Sequence, residues 1–157
     1  MKLSDYEQPS VTVDLVIFTI KDNSLKVLLV KRDVEPFKDK WALPGGFVKI
    51  EESLEESAKR ELFEETGVKN VYLEQLYSFG NTKRDPRGRV ITISYFALIN
   101  SEKIKLKTST DVSEAEWFPA SKIPFLAFDH KEILDYAVKR LKWKFEYTII
   151  AFSLLPK

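Results

Sequence analysis

The sequence predicts a layered α/β domain of the α+β type, because short strand patterns outnumber the helical patterns, of which there are two. The chain has 157 residues, 44% of them hydrophobic, which is enough for one domain with its own core. We therefore expect a single domain over residues 1–157. The sequence contains no cysteine, which excludes disulfides and thiolate metal sites. Its 25 basic and 24 acidic residues nearly balance, which does not favour a general nucleic-acid binder.

The first half of the sequence predicts a hairpin, a long loop and a helix. The run Val11–Ile20, rich in β-branched residues, and the strand-like segment Leu25–Arg32 flank an Asp-Asn-Ser turn signal and predict a β-hairpin. Residues 33–52 show no periodicity and predict a long ordered loop, which in a compact domain is usually functional. Residues 53–66 have a helical pattern that ends at Gly67, a residue favoured just after a helix.

The second half predicts further strands and a final helix. Asp129 is placed to cap a helix over about residues 130–144, and the later segment Tyr147–Lys157 is apolar. His130 is then a first-turn helix residue rather than a catalytic base, with a contact to substrate or to a second subunit as the alternative. No apolar run reaches membrane-spanning length and the N-terminus lacks the apolar region of a signal peptide, so we expect a cytoplasmic protein without membrane partners. Short strands are expected around residues 68–79, 89–99, 103–107 and 115–118.

An arc of glutamates lies beside the apolar stripe of the helix predicted over residues 53–66. Glu61, Glu64 and Glu65 follow the i, i+3, i+4 spacing of one helix face. Glu61 has no basic residue three or four positions away, and all three acids lie near the helix C-terminus, where the macrodipole disfavours anions. A solvated acidic face is one interpretation. A site for a hard divalent cation such as Mg²⁺ is the other, because such cations bind clustered carboxylate oxygens.

The residues from Gly46 to Val68 resemble the Nudix box. Gly46 is followed after five residues by Glu52 and after seven more by Arg60-Glu61-Leu62-Phe63-Glu64-Glu65-Thr66-Gly67-Val68. All nine specified positions are filled, and at ordinary residue usage the chance of this at one start position is on the order of 10⁻¹⁰. The resemblance implies a Nudix fold, with a mixed β-sheet between α-helices, and hydrolysis of a nucleoside diphosphate derivative with Mg²⁺ or Mn²⁺.

The same resemblance implies roles for the charged residues of the box. Glu61, Glu64 and Glu65 correspond to the metal ligands, and one of them also helps to deprotonate the attacking water. Arg60 and Glu52 correspond to the pair that orients these ligands, a kind of support that metal sites require.

Metal ligands are also implied outside the box. The carbonyl of Gly45 corresponds to a backbone ligand, and family members often recruit one more acid from a later loop. Asp111 is the first choice for that acid because it lies shortly before Trp117-Phe118-Pro119. Glu114 and Glu116 are the other candidates.

The segments flanking the box resemble the ADP-ribose pyrophosphatase branch of the family, from Glu35 to Val48 and from Arg84 to Tyr95. The resemblance implies cleavage of ADP-ribose to AMP and ribose 5-phosphate. Loop arginines suit phosphate oxygens and aromatic rings suit stacking on adenine, with solvated charges and core packing as the alternatives. For Phe47, core packing is favoured. The candidates for substrate binding are Arg84, Arg87, Arg89, Phe37, Trp41 and Gly46.

The C-terminal segments, including Ala127–Leu134, resemble the Nudix domains of transcriptional regulators of NAD metabolism that sense ADP-ribose. An ADP-ribose-sensing module without turnover is therefore an alternative, although we expect no nucleic-acid partner, because no segment could serve as a recognition helix. Such sensors often carry a degraded box, so the intact box favours a hydrolase. Sanitation of damaged nucleoside triphosphates is a further alternative within the enzyme class. Relatives in this branch are commonly homodimers, and we expect a homodimer here.

Overall fold

The computed structural model describes residues 1–102 and 104–153, and it describes the burial of side chains as far as residue 148. Within these residues it contains a seven-stranded sheet, two α-helices and a short 3₁₀ helix at Leu3–Asp5. The helices are α1 (Leu54–Thr66) and α2 (His130–Ser153). The strands are β1 (Ser10–Lys21), β2 (Ser24–Arg32), β3 (Trp41–Ala42), β4 (Gly45–Phe47), β5 (Glu74–Phe79), β6 (Val90–Leu98) and β7 (Val112–Pro119).

The sheet is mixed, and β1 changes partner along its length. The main path runs β3-β2-β1-β6-β5, with β1 and β6 parallel and the other pairs antiparallel. β1 pairs with β2 from Phe18 to Lys21, whereas its earlier part, Thr12–Asp14, pairs with β4. The two hairpin strands therefore diverge, and β4 takes the place beside β1. This arrangement brings Gly45–Phe47 against the central strand of the sheet.

Helices cover both faces of the sheet, as the predicted fold class requires. On one face Ala58 and Leu62 of α1 share a buried cluster with Val13, Leu15 and Ile17 of β1. Because both faces of β1 are buried, its sequence is nearly continuously apolar instead of alternating. On the other face Val16 and Phe18 of β1 meet α2, in a cluster that includes Ile133, Leu134 and Ala137.

The ends of α1 follow from its local sequence. The Ser53 hydroxyl accepts a hydrogen bond from the amide of Glu56, and the Glu56 carboxylate accepts one from the amide of Ser53, which together form a capping box. Gly67 ends the helix in the left-handed region at φ 76°, where a side chain would add strain. The predicted helix and its end are confirmed, with Ser53 as the cap.

Two predicted strands differ from the structure. β5 begins at Glu74 rather than near residue 68. The strand predicted over 103–107 is wrong for residues 104–107, which have no strand structure. Instead, the Lys107 amide bonds to the carbonyl of Thr66 at the end of α1, at 2.9 Å. Residue 103 lies outside the described residues.

The final helix is longer than the sequence pattern predicted. α2 begins at His130, as expected, but continues past residue 144 to Ser153, because no glycine or proline interrupts this stretch before Pro156. Residues 154–157 of the predicted apolar tail lie outside the described residues. In the described part of the chain, no helix combines the length and the apolar character needed to cross a bilayer.

Candidate active site

Two glycines of β4 let the backbone approach both β1 and α1. A Cβ atom on Gly45 would lie 2.1 Å from the carbonyl oxygen of Val13, and one on Gly46 would lie 2.5 Å from the carboxylate of Glu61. Any larger residue would therefore displace β4 from the central strand or displace the glutamate from its position. The glycines place the β4 backbone directly against the acidic arc of α1.

Arg60 gathers three acids of the predicted box around one guanidinium. Its Nε and Nη2 donate to the two oxygens of Glu52 at 2.5 and 2.8 Å. Its Nη1 donates to Glu61 Oε1 at 2.5 Å and to Glu64 Oε2 at 3.2 Å. The hydrogen bonds from Arg60 lower the pKa of Glu52 to about 2. Glu61 has no basic residue three or four positions away on the helix, and its basic partner is instead the adjacent residue in the sequence.

Glu61 and Glu65 are partly buried carboxylates beside the two glycines. Burial raises the pKa of Glu61, although the bond from Arg60 acts in the opposite direction. Burial, with the nearby carboxylates of Glu61 and Asp14, raises the pKa of Glu65 to about 8. The Gly45 amide donates to Glu65 Oε2 at 2.9 Å and offsets part of this rise. Negative charge at these two positions is therefore costly without a further cation nearby.

These carboxylates suit a divalent cation by their chemistry and their surroundings. Hard cations such as Mg²⁺ take carboxylate and carbonyl oxygens, and positive charge here would offset the cost of ionising Glu61 and Glu65. Across the residues that the structure describes, no three histidine, aspartate or glutamate side chains are already gathered at metal-binding distance. Glu61 and Glu64 direct oxygens to Arg60, while Glu65 accepts the amide of Gly45. The metal-ligand set Glu61, Glu64, Glu65, Gly45 and Asp111 stays a prediction.

A cavity of about 360 Å³ opens beside the two glutamates. Phe47, predicted to be a core residue, is instead 45% exposed and lies in the cavity wall. The Arg87 guanidinium lies 5.0 Å from the centre of the Phe47 ring and 5.6 Å from that of Phe128. The charged residues of the wall are Asp14, Arg32, Lys49, Glu61, Glu65, Arg84, Asp85, Arg87 and Asp111. Basic groups and carboxylates in one cavity suit a substrate that carries phosphates and binds with a cation.

Arg84, predicted to bind substrate, belongs to a buried ion cluster. Its guanidinium donates to Asp129 at 2.8 and 2.7 Å and to Asp14 at 3.4 Å. His130 completes the cluster, with its Nε2 3.4 Å from Asp14 Oδ1 and its Nδ1 accepting the Leu43 amide at 2.9 Å. Burial lowers the pKa of His130. The hydrogen-bonding capacity of Arg84 is thus largely taken by two carboxylates of the protein.

The other two predicted arginines differ in their access to the cavity. Arg87 pairs with Asp85 at 2.7 Å and still lines the wall. Arg89 donates to the carbonyl of Gly80 and does not line the wall. Arg87 is therefore better placed than Arg89 to meet a ligand in this cavity.

Phe37 and Trp41, both predicted to stack on adenine, pack against other aromatic rings instead. Trp41 meets Phe118 edge to face, with ring centres 4.7 Å apart, against the cluster beneath α2. Phe37 packs on Phe128 with ring centres 4.7 Å apart. Neither residue lines the cavity, so the aromatic candidate that the structure brings there is Phe47.

Of the three acids considered for an additional metal ligand, Asp111 alone lines the cavity. Glu114 pairs with Lys31 at 2.8 Å, and Glu116 lies on β7 opposite β2. Glu64 of α1 is 51% exposed and does not line the wall.

Asp14 is a site residue that the sequence analysis did not propose, and His130 is one for which a substrate contact was only the alternative interpretation. Asp14 had a signal, because it is the single charged residue in the strand pattern Val11–Ile20. His130 had none, because the distant Leu43 amide that it binds is not predictable from the surrounding sequence.

A second groove, of about 700 Å³, lies away from these residues, between the segment 69–72, the end of β6 and α2. Among the described residues its wall is mostly apolar and includes one acid, Glu74, which is paired with Lys144. The described residues of the groove form no cluster of catalytic groups, so the smaller cavity is the candidate site.

A family model described as "NUDIX domain" matches residues 9–141. The chain is 44% identical over 158 residues to the ADPR responsive transcriptional repressor NtrR of Acinetobacter baylyi, covering 98% of this chain and 62% of the repressor. It is 44% identical over 141 residues to the ADP-ribose pyrophosphatase of Methanocaldococcus jannaschii, covering 88% of this chain and 77% of that protein. The NUDIX domain of Shewanella oneidensis NrtR, solved with ADP ribose, matches with a TM-score of 0.81 at 40% identity, over 90% of this chain and 94% of that one. The chain thus spans less than two thirds of the Acinetobacter repressor.

Proposed function

The chain belongs to the NUDIX family, and we propose that it hydrolyses the pyrophosphate bond of ADP-ribose to AMP and ribose 5-phosphate. The observation that carries the proposal is the placement of Glu61 and Glu65 in one cavity with Lys49 and Arg87. Carboxylates for a cation and basic groups for phosphates are both needed for cation-assisted hydrolysis of a pyrophosphate. The likeness to an ADP-ribose pyrophosphatase over 88% of the chain supports this substrate.

We propose that Mg²⁺, with Mn²⁺ as an alternative, is held by Glu61, Glu64, Glu65, the Gly45 carbonyl and Asp111. When bound, the cation offsets the charge of the pyrophosphate oxygens and makes a water more acidic. Arg60 orients the ligands, because the same guanidinium contacts Glu61 and Glu64 while Glu52 holds it from the far side. One of the glutamates accepts a proton of the attacking water. The water oxygen forms a bond to one phosphorus as the bond from that phosphorus to the bridging oxygen breaks, and the two phosphomonoesters leave.

The rest of the cavity wall orients the substrate. Arg87 lies over the Phe47 ring and retains access to the cavity, so this pair offers a charged edge for phosphate and an apolar face for a base or sugar. Lys49 and Arg32 add positive charge to the same wall. Arg84 contributes indirectly by holding Asp14 and Asp129 in place.

We further propose that the protein is a cytoplasmic homodimer that acts on a small nucleotide and has no nucleic-acid partner in this chain. The near-balance of charge supports the last point. Sedimentation equilibrium tests the assembly, for which a mass of about twice 18.2 kDa is expected and a monomer mass would contradict it.

A sensor that binds ADP-ribose without hydrolysing it is the second candidate. The observation in its favour is the 44% identity to a transcriptional repressor over 98% of this chain, together with the likeness to the ADP-ribose-bound NUDIX domain of NrtR. The complete set of Arg60, Glu61, Glu64 and Glu65 favours the hydrolase, because a sensor needs no general base or metal activation.

Parallel measurements of turnover and binding separate these candidates. ADP-ribose and an oxidised dGTP are incubated with the protein and Mg²⁺, and the products are resolved by ion-exchange chromatography. The proposal expects AMP and ribose 5-phosphate in equal amounts from ADP-ribose, at a rate well above that for the triphosphate. Saturable calorimetric binding of ADP-ribose without products would instead establish the sensor. Faster release of pyrophosphate from the triphosphate would establish a sanitation enzyme.

A further inference from the structure

The segment before α2 pairs with β3, from which the chain continues to β4. The Ala127 amide donates to the carbonyl of Trp41 at 2.8 Å, in the manner of a short parallel bridge. Two residues on, the Leu43 amide points to the same side, because groups two apart in an extended chain share a direction. Opposite Leu43 the neighbouring segment has already entered α2. The imidazole of His130 therefore accepts the hydrogen bond from the Leu43 amide, at 2.9 Å.

This contact determines which nitrogen of His130 carries the proton. The Nδ1 atom accepts the Leu43 amide, so it has no proton, and the ring is neutral with its hydrogen on Nε2. Nε2 lies 3.4 Å from Asp14 Oδ1. His130 is 5% exposed, so solvent does not compete well for either nitrogen.

The segment that His130 contacts continues to Gly45, which contacts the candidate catalytic residue Glu65. The Pro44 carbonyl accepts the Leu15 amide at 2.8 Å, and the Gly45 amide donates to Glu65 Oε2 at 2.9 Å. Three elements thus hold three consecutive residues: α2 holds Leu43, β1 holds Pro44 and α1 holds Gly45. Loss of the first contact would free one end of this short segment.

We propose that His130 is a positioning residue whose neutral imidazole, protonated on Nε2, holds the Leu43–Gly46 segment where Gly45 contacts Glu65. The effect of His130 on catalysis rests on the hydrolase function proposed above. It acts through the loop and does not itself touch substrate, and its contacts with Leu43 and Asp14 account for its burial.

The tautomer is directly measurable because the chain has one histidine. A long-range ¹H–¹⁵N correlation spectrum of the native chain, with any histidine tag removed, contains the imidazole signals of a single residue. The proposal expects the pattern of a neutral ring with a protonated Nε2 and an unprotonated Nδ1 at pH 7. A ring protonated on Nδ1, or on both nitrogens, would overturn it.

Three variants separate the loop contact from the contact with Asp14. In His130→Asn the side-chain oxygen occupies the place of Nδ1 and can accept the Leu43 amide, whereas in His130→Gln the polar group reaches the place of Nε2. His130→Leu retains neither. The proposal expects rapid amide hydrogen exchange at Leu43 and Gly45 in the Leu and Gln variants and protection close to that of the wild type in the Asn variant.

Steady-state kinetics with ADP-ribose supply the functional part of the test. The kcat of His130→Gln should fall by about tenfold or more with KM within about threefold, and His130→Asn should recover most of kcat. Equal kcat values for the Asn and Gln variants would overturn the positioning role, even if the Leu variant fails to fold. If the wild type does not hydrolyse ADP-ribose, the proposed function fails, and the tautomer and exchange measurements still decide whether His130 holds the loop.

Discussion

Replacement of Gly46 by alanine should disable the site with little effect on stability. The new Cβ would lie 2.5 Å from the Glu61 carboxylate, whereas ordinary contacts begin at 3.4 Å, so the carboxylate must move by about 0.9 Å. A misplacement of about 1 Å typically costs about 100-fold in rate, which is the fall in kcat that we expect. The obstructing atoms are the end of a flexible side chain, and alanine reduces the entropy of the unfolded chain by about 0.4–1 kcal/mol, so the free energy of unfolding should change by less than about 1 kcal/mol.

The assay is the release of AMP from ADP-ribose with Mg²⁺, combined with urea unfolding of the same samples. Gly80→Ala is the matched control, because a Cβ there meets its nearest neighbours at 3.8 to 4.0 Å, which is ordinary contact. The control should keep the kcat of the wild type. A Gly46→Ala variant with kcat within twofold of the wild type would refute the argument that the position of Glu61 limits turnover. A large loss of stability would show instead that the backbone has moved.

Three further predictions concern the charged groups around the cavity. Arg60→Lys cannot keep the two-point contact with Glu52 while contacting the helix glutamates, so the Mg²⁺ concentration for half-maximal activity should rise about 10- to 100-fold; an unchanged requirement would contradict the orienting role. The pKa of Glu65 is about 8 in the folded chain and 4.5 in the unfolded chain. Between these two pH values the folded chain keeps the proton of this carboxyl group, whereas the unfolded chain releases it. The metal-free protein should therefore lose stability as pH rises from about 4.5 to about 8, and Glu65→Gln should remove that dependence in urea titrations with a chelator; equal slopes for both proteins would contradict it. Arg84→Gln leaves buried carboxylates unpaired and should cost about 3–5 kcal/mol of unfolding free energy, whereas Arg89→Gln on the surface should cost less than about 0.5 kcal/mol; similar losses in both variants would contradict the buried cluster.

Local signals account for the parts of the fold that were predictable. α1 was located within one residue, because Ser53, Glu56 and Gly67 determine its ends through contacts close in sequence. β3 and β4 were not predicted, since strands of two and three residues exist only through pairing with β2 and β1. The prediction of a strand at 104–107 was wrong for the converse reason. This segment has strand-like residues, but its Lys107 amide bonds to the end of α1.

The candidate site likewise combines residues that local spacing brings together with residues that meet only in the folded chain. Helical spacing placed Glu61 and Glu65 together, and the box indicated the Arg60–Glu52 pair that the structure also brings together. Spacing did not predict that Arg84 is taken by Asp129, because these residues lie 45 positions apart and meet only in the folded chain.

The aromatic residues show the same limit. Trp41 and Phe47 lie in one aperiodic segment, which gives no signal for which ring faces the core. Pairing decided the outcome, since Trp41 lies on β3 against Phe118 and Phe47 lies on β4 beside the cavity.

The most direct test of the account is the time course of ADP-ribose hydrolysis by the wild type and by Glu61→Gln, each with Mg²⁺ and with a chelator. The amide keeps the shape of the side chain but cannot supply the negative charge that a cation needs. We predict AMP and ribose 5-phosphate from the wild type with Mg²⁺, no products with the chelator, and a kcat for Glu61→Gln lower by orders of magnitude in a folded protein. Near-normal turnover by Glu61→Gln, or undiminished turnover in the chelator, would contradict the central claim that the α1 glutamates hold a catalytic cation.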